Sequence, residues 1–394
     1  MKMLLNILDA VPEFTRLAAN LESGRSPVEV AGLSPVHRAH FAAGLLERLD
    51  CPVVLVCADE GECARLAADV TALTGEPAAI IGAREFLFHE GAVASRQWEH
   101  QRIAAFQAMA QGKTRLIAAT VEGLMQRTLP PEELAAHVVE VDAKGSYDLE
   151  ELAGRLAALG YTRCQQVEGV GQFALRGGIL DVFSPGMDDP VRVEFWDQDV
   201  DSMGPFDPAS QRRAGRLDRA AFLPVSELLP VRDEHGGWER PTDLQLPARY
   251  KTLATAAHHL PLDAVVCLSE SSRVAERGKN WLWQLNEDVK TLLEAGKLDG
   301  KHARFSATMD ELMAVLDRHA LCFLDSFTTS AAPLPPKDIL TAQGRQLSSF
   351  GASLDTAAAD LTQLQNAGAA AIVLVGSEQR ALNLQSMLRE RKIR

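Results

Sequence analysis

The sequence predicts an α/β protein whose parallel sheet comes from two segments of the chain, separated by an inserted α+β unit. One observation is a pair of continuous apolar runs, CPVVLVCAD at 51–59 and DAVVCLSES at 263–271, each followed by a helical pattern. Such runs are typical of strands buried on both faces of a parallel sheet. The other is a change to short alternating segments punctuated by Gly, Pro and Asp within residues 130–215, which is typical of antiparallel hairpins.

The first segment alternates strands with helices. A helical lead-in over residues 1–24 precedes a short strand at 27–32 and a helix at 37–49. The apolar run at 51–59 is followed by an amphipathic helix with two glutamates in its first turn, where they favour the helix dipole. Alternation of this kind implies crossover helices on a parallel sheet. The remaining elements predicted in this segment are a strand at 77–83, a helix at 96–111 and a strand at 114–124.

The inserted unit begins after LPPEEL with the strand HVVEVD and a helix at 148–160. Hairpins are predicted from GQFALRGGILDVFSPG at 171–186 and PVRVEFWDQDVDSMGPFD at 190–207. Side chains of VRVEFW alternate between two faces, so one face can enter a core while the other stays available to a partner. The two sets are Val191, Val193 and Phe195, and Arg192, Glu194 and Trp196.

The α/β pattern then returns and ends at a strand over 320–327. AAPLPP at 331–336 predicts an extended linker. Beyond it lie a helix, the apolar run AAIVLVGS at 370–377, predicted as a buried strand, and another helix. Because one strand and two helices cannot close a core, we expect this last part to continue in a longer chain. The predicted segments are 1–129, 130–215, 216–330, the linker 331–349, and 350–394.

Length and composition narrow the class of protein. The 394 residues are 46% hydrophobic and 24% charged, which suits several soluble domains with real cores. The net charge of −13 argues against non-specific nucleic-acid binding by the whole chain, because phosphate contacts need clustered Lys and Arg. No apolar run reaches the ~18 residues of a membrane span, and the first residues do not resemble a signal peptide. We therefore expect a cytoplasmic protein without a membrane partner.

The sequence predicts no metal site and no disulfide. The six cysteines form no C-x-x-C pair, and we interpret them as reduced thiols. His37 and His40 share a predicted helix but have no third ligand in view, so two solvated histidines are favoured over zinc. The cysteines are Cys51, Cys57, Cys63, Cys164, Cys267 and Cys322.

The stretch EVAGLSPVHRAHFAAGLL at 29–46 has the layout of a phosphate-binding loop, G-x-x-x-x-G-K-[ST], between a strand and a helix. Gly32 holds the first glycine position, but His37, Arg38 and Ala39 replace the glycine, lysine and Ser/Thr. His37 adds a side chain where the backbone would approach phosphate, and Arg38 is not equivalent to a compact lysine. Ala39 lacks the hydroxyl that holds magnesium. The alternative is a plain strand–helix turn.

Two further stretches bear on this loop. QGKT at 111–114 ends like a phosphate-binding loop, but Gln107 occupies the first glycine position and the segment precedes a strand. The magnesium half of an ATPase site needs an apolar strand ending in Asp-Glu, and LCFLDSFTT supplies Asp325 followed by Ser326. Both halves lack essential groups, so we interpret the loop as the remnant of a nucleotide site, with no cofactor.

Three stretches resemble the UvrB-like N-terminal module of the bacterial transcription-repair coupling factors, the Mfd family: IAATVEGLMQR, GQFALRGGILDVFSPG and VRVEFWDQDVDSMGPFDPASQR. The last two follow the long family pattern F-x-x-R-G-x-x-x-D-[IV]-F-x-P with its following strand and F-D-P. The resemblance covers essentially residues 1–330. It implies a degenerate RecA-like domain in two segments, an inserted domain 2 at 130–215, and the start of a third domain at 350–394.

Departures from UvrB itself also carry information. UvrB has an intact nucleotide loop, a D-E-x-H and a tyrosine-rich hairpin that grips DNA. The corresponding stretch here, EFLFHEGAVASRQWEHQR at 85–102, has no tyrosine, and the whole chain has only three. A hairpin that stacks on bases is therefore not expected. The resemblance implies a UvrB-like shape without ATPase activity and without damage verification.

In the family the inserted domain docks on UvrA, so the resemblance implies UvrA as partner, with Arg163, Arg176, Phe183 and Arg192 as contacts. Arginine and aromatic side chains are the usual anchors of an interface. The alternative is that Phe183 belongs to the core and that the arginines pair locally with Glu194 or Asp181.

The resemblance also implies functions for the parts of such a protein that lie outside this chain. C-terminal domains mask the UvrA-binding surface, and motor domains contact DNA and RNA polymerase and drive translocation with ATP. An enzyme alternative stays open, in which the chain is a UvrB-like ATPase or helicase half with an unusual nucleotide loop. A DNA-binding module is disfavoured by the charge of −13.

Overall fold

The structure is a computed structural model that describes residues 2–88, 96–250, 252–344, 353–369, 371–373, 375–391 and 393. These residues form two compact units, Met1–Gln343 and Gly344–Arg394, and each is described by itself. Within the described ranges, every helix is too short or too polar to span a bilayer.

All sixteen strands of the described residues belong to the first unit. They are β1 (Val28–Ala31), β2 (Val53–Cys57), β3 (Ala78–Ile81), β4 (Leu116–Thr120), β5 (Val139–Asp142), β6 (Thr162–Arg163), β7 (Gln172–Arg176), β8 (Ile179–Phe183), β9 (Val191–Trp196), β10 (Asp199–Pro205), β11 (Arg219–Phe222), β12 (Val231–Arg232), β13 (Trp238–Glu239), β14 (Val265–Ser269), β15 (Ala320–Leu324) and β16 (Asp338–Thr341).

The helices of the first unit are α1 (Lys2–Asn6), α2 (Pro12–Glu22), α3 (Pro35–Arg48), α4 (Glu60–Thr74), α5 (Gln97–Ala110), α6 (Val121–Met125), α7 (Pro131–Ala136), α8 (Leu149–Ala158), α9 (Leu246–Arg249), α10 (Ser271–Glu294) and α11 (Met309–Leu316). The second unit contains α12 (Leu354–Asn366) and α13 (Glu378–Glu390).

A seven-stranded parallel sheet forms the centre of the first unit, in the order β16-β1-β15-β14-β2-β4-β3. The apolar runs at 51–59 and 263–271 supply the adjacent strands β2 and β14, whose residues are all buried. Alternate side chains enter cores on opposite faces, with Val54 in one and Val53 in the other. The predicted α/β class is confirmed.

One predicted strand ends earlier than expected. The run at 114–124 forms β4 only as far as Thr120, whose hydroxyl then accepts a hydrogen bond of 3.1 Å from the Gly123 amide. This bond caps α6, which occupies the rest of the run. The apolar pattern therefore hid a short capped helix, because both elements are fully buried and neither shows a polar face.

The inserted unit contains a five-stranded sheet in the order β10-β9-β8-β7-β6, and β11 pairs antiparallel with β5. The predicted end at residue 215 is too early, because β11 lies beyond it and Phe222 is fully buried in the same core as Val139. The predicted start is also too early. Leu134 of α7 packs in the core of the large sheet, so the insert begins at β5.

The predicted linker at 331–349 contains a strand of the large sheet. After the prolines, β16 pairs in parallel with the open edge of β1. The Lys337 amide donates to the Pro27 carbonyl at 2.7 Å, and the carboxylate of Asp338 accepts from Arg16 at 2.8 Å and from Asn20 at 2.7 Å. The extended region is therefore shorter than the sequence suggested.

In the second unit, α12 and α13 are capped at their N-termini by Ser353 and Ser377, whose side chains accept amide hydrogen bonds. Arg391 lies 2.8 Å from Asp355 and ties the two helices together. The buried strand predicted at 370–377 is not formed in the described residues 371–373 and 375–377, which are exposed. The described part of this unit offers no neighbouring strand with which it could pair. Residues 370 and 374, and residues 89–95 of the stretch at 85–102, lie outside the described ranges.

Candidate functional site

The structure brings the two halves of the predicted nucleotide remnant together. Because β1 and β15 are neighbouring parallel strands, the loops at their carboxyl ends lie side by side. The Gly32 amide donates to the Ser326 carbonyl at 3.2 Å, and the Leu33 amide donates to the Asp325 carbonyl at 3.0 Å. Backbone hydrogen bonds therefore hold the two loops against each other.

Gly32 is required by close backbone packing. Its φ of +87° is in the region that favours glycine, and a Cβ placed there would lie 2.1 Å from the carbonyl oxygen of Ala342. The Ala342 amide donates in turn to the Ala31 carbonyl at 2.8 Å. The end of β16 thus occupies the space beside Gly32. The glycine is needed there because it lets the ends of β1 and β16 pack closely together.

Arg38 is sealed inside an ion-pair cluster. Only 6% of its side chain is exposed, and Nη1 lies 2.7 Å from Oε1 of Glu270 and 3.5 Å from Oε1 of Glu62. The hydroxyl of Ser326 also donates to Glu270. Two carboxylates face one guanidinium, so no positive charge is left over to attract a phosphate.

Asp325 caps a helix instead of facing an open site. Its buried carboxylate accepts hydrogen bonds from the Ser271 amide at 2.6 Å and the Ser271 hydroxyl at 2.8 Å, at the start of α10. Burial raises the pKa of Asp325 to about 6, and the carboxylates of Glu270 and Glu29 act in the same direction. A carboxyl group held in this way is engaged on both oxygens.

The remaining residues of the loop have ordinary packing roles. Ala39 is buried in the core, and half-buried His37 places Nδ1 3.2 Å from the Ser34 hydroxyl. Across the described residues, no group of three or more His, Cys, Asp or Glu side chains could hold a metal ion.

A second arginine cluster lies on the outer face of the inserted sheet. Asp181, which is 1% exposed, accepts from Arg192 Nε at 2.7 Å and Nη2 at 2.9 Å. Arg176 Nη2 donates to the same carboxylate at 2.7 Å. Arg192 also lies over the Phe206 ring, with 4.4 Å between Cζ and the centroid. Local pairing with Asp181, one of the two alternatives from sequence, is therefore present for both arginines.

The arginines differ in what remains exposed. Arg192 keeps 14% of its side chain exposed, whereas Arg176 keeps 45%. Arg163 is 55% exposed, and its closest acidic partner is Glu150 at 3.9 Å. Arg163 and Arg176 line one open depression at the β6–β7 edge. Its other lining residues are Cys164, Gln165, Gln166 and Leu175.

Phe183 is half-buried at the end of β8. Its neighbour Val182 enters the core of the inserted unit, so alternation places Phe183 on the outer face with Asp181. Sequence reasoning placed Trp196 on the same face but did not select it, although 81% of it is exposed.

Two residues of the Arg38 cluster were also missed. Glu62 and Glu270 lie far from Arg38 in the sequence, and only the strand order of the sheet brings them together. Their positions in the sequence were the available signal, because Glu270 directly follows β14 and Glu62 lies in the first turn of α4, the helix after β2.

The inserted unit and the chain as a whole are similar to known proteins. Residues 139–228 match the family described as UvrB interaction domain. A transcription-repair-coupling factor of Bacillus subtilis is 24% identical over 95% of this chain and 35% of its own length. One from Myxococcus xanthus is 32% identical over 55% of this chain and 19% of its own length. One from Staphylococcus aureus is 22% identical over 94% of this chain and 35% of its own length.

The chain spans 35% of the length of the Bacillus relative, so it corresponds to one part of such proteins. The matched family range also agrees with the inserted unit, which runs from β5 at Val139 to the segment after β11. These matches show that nearly the whole chain is similar to part of the transcription-repair-coupling factors, and that residues 139–228 match the UvrB interaction domain family.

Proposed function

We propose that this chain is a non-catalytic recruitment module that binds UvrA through its inserted domain. The match of residues 139–228 to the UvrB interaction domain carries the proposal. Arg163 and Arg176 support it, because both keep about half of their side chains exposed on that domain. The relatives are named for coupling transcription to repair. In our proposal, UvrA is brought to lesions where RNA polymerase has stalled.

The ATP-driven translocase and the contacts with DNA and RNA polymerase belong, in this proposal, to the rest of a longer protein. The C-terminal part of that protein masks the UvrA-binding surface, so the present chain should bind UvrA more readily than the longer protein does. The charge cluster around Arg38 supports a non-catalytic role. Its guanidinium is already paired with Glu270 and Glu62, and Asp325 is engaged by Ser271.

Binding of purified UvrA to the chain, measured by biolayer interferometry, tests the proposal. We expect the double variant Arg163→Ala, Arg176→Ala to bind at least about tenfold more weakly, the effect typical of interface anchors. Arg273→Ala is the control, because Arg273 is exposed to a similar degree, 59%, but lies on α10 outside the inserted unit. Unchanged binding by the double variant would remove these arginines from the site. Failure of the unmodified chain to bind would overturn the function.

Calorimetric titration with ATP and magnesium separates this proposal from the ATPase alternative. We expect no binding tighter than about 100 μM, which corresponds to roughly −5.5 kcal/mol. Tighter binding would favour the UvrB-like ATPase half.

A further inference from the structure

Trp196 at the end of β9 is 81% exposed, more than Trp283 of α10 at 64%. A tryptophan left this open to water is unusual, because burying the ring is strongly favourable. Exposed tryptophans on a monomer are instead enriched among the residues that carry binding energy in interfaces. Trp196 therefore needs an explanation beyond stability.

The hairpin register explains why nothing covers the indole. The Phe195 amide donates to the Gly178 carbonyl at 2.8 Å, so the glycine turn between β7 and β8 lies beside the end of β9. The neighbour of Trp196 on that side is Gly177, which has a φ of +58° and nothing within 4 Å of the position that a Cβ would take. On the other side Trp196 pairs with exposed Asp199. The chain therefore places a residue without a side chain next to the exposed indole of Trp196.

The ring shares a face with the arginine cluster. Phe195 packs against the core of the inserted unit, so alternation along β9 turns Arg192 and Trp196 to the opposite face. Arg176 lies on that face two strands away, which is about 10 Å at ordinary strand spacing. Trp196 and Arg176 therefore lie on the same face of the inserted sheet.

Two arginines on this face share one carboxylate. That carboxylate is Asp181, which pairs with Arg176 and Arg192. Glu194 pairs with Arg213 at 3.0 Å. Of the two arginines that share Asp181, Arg176 is the more exposed and the more available to a partner.

We infer that Trp196 is the apolar anchor of the partner-binding surface, inserting into an apolar pocket of UvrA while Arg176 pairs with a UvrA carboxylate beside that pocket. This inference rests on the proposed function for the identity of the partner. It adds a residue and a chemistry to the site, because the surface recognised must combine an apolar cavity with an acidic rim. The exposed ring, its glycine neighbour and the half-exposed arginine all belong to the inserted sheet.

The test compares Trp196→Ala with Trp283→Ala, a matched loss of an exposed tryptophan outside the inserted domain. We expect Trp196→Ala to weaken UvrA binding at least about tenfold, mainly through a faster dissociation rate. Trp196→Phe should recover part of the affinity, and Trp283→Ala should bind as the unmodified chain does. Thermal unfolding of both variants should stay close to that of the unmodified chain, because neither ring is buried.

Each outcome separates the two claims. If the unmodified chain binds UvrA and Trp196→Ala binds within twofold of it, the anchor is wrong and the proposed function stands. If the unmodified chain does not bind UvrA, the proposed function fails and takes the anchor with it. If the chain self-associates in sedimentation and Trp196→Ala abolishes this while UvrA binding is kept, the ring belongs to an interface between copies, and the inference is overturned.

Discussion

Arg38 and Arg176 lie in two regions of the molecule that use the same side chain in opposite ways. At the edge of the large sheet, Arg38 is 6% exposed and faces Glu270 and Glu62. On the inserted sheet, Arg176 is 45% exposed and shares its one carboxylate with a second arginine. In the first region the arginine is buried and paired within the molecule, whereas in the second an arginine stays partly exposed. An arginine can bind a partner only to the extent that internal ion pairs leave its guanidinium accessible.

The largest expected effect is on the inserted sheet. Asp181→Ala should lower the free energy of unfolding by about 3–5 kcal/mol, because it leaves nearly buried Arg192 without its partner. Asp201→Ala, at an exposed position on β10, is the control and should stay within about 0.5 kcal/mol. Urea unfolding measures both. If both variants lost equally little unfolding free energy, the Asp181 cluster would be solvated and its arginines would not depend on this carboxylate.

The next prediction tests the close packing of Gly32, at the end of β1, against Ala342, at the end of β16. Gly32→Ala should destabilise by about 2–4 kcal/mol, because it combines a positive φ with a Cβ only 2.1 Å from the Ala342 carbonyl. Gly112→Ala shares the positive φ but meets nothing within 4 Å, so about 1 kcal/mol is expected. The difference between the two unfolding free energies isolates the contact with Ala342. Equal losses would show that the loop can move away from β16.

A smaller effect concerns pH. The folded pKa of Asp325, about 6, lies above its ordinary value of 3.8, so the folded state binds the proton more tightly than the unfolded state. The unmodified chain should therefore gain stability relative to Asp325→Asn as the pH falls from about 7 to about 4, by on the order of 2 kcal/mol. Urea unfolding at several pH values measures the difference. If the difference in unfolding free energy between the two proteins did not change with pH, Asp325 would be more solvated than Arg38.

The last prediction is that rebuilding the nucleotide loop causes no change in ATP hydrolysis. The triple variant His37→Gly, Arg38→Lys, Ala39→Thr rebuilds the loop sequence, but it should not hydrolyse ATP. Ser326 still stands where the carboxylate that acts on water would be, and Glu270 and Glu62 still surround position 38. A phosphate-release assay on the purified variant checks this. Magnesium-dependent turnover above the unmodified chain would show that the loop sequence alone had closed the site.

Much of the fold was predictable because its signals are local. The buried runs that form β2 and β14 needed no distant information, since both faces of a parallel strand are apolar. β11 and β16 were missed because each has four residues and takes its identity from pairing with β5 or β1. The nucleotide remnant at Gly32 stays a prediction, and the ion pairs around Arg38 could not be predicted because they depend on strand order. Exposure of Trp196 depends on Gly177 lying across a hairpin, which spacing alone does not give.

β16 has a mechanical consequence. Any tension transmitted along the chain from beyond residue 343 reaches this strand before the rest of the first unit. β16 is hydrogen-bonded in parallel to β1, and its first residue is held by Arg16 and Asn20. A pull on its carboxyl end acts along the strand, so the hydrogen bonds of the β1–β16 pair bear the load in shear together instead of opening one after another. The strand closing the sheet is thus also a tether able to resist force from the following part of the chain.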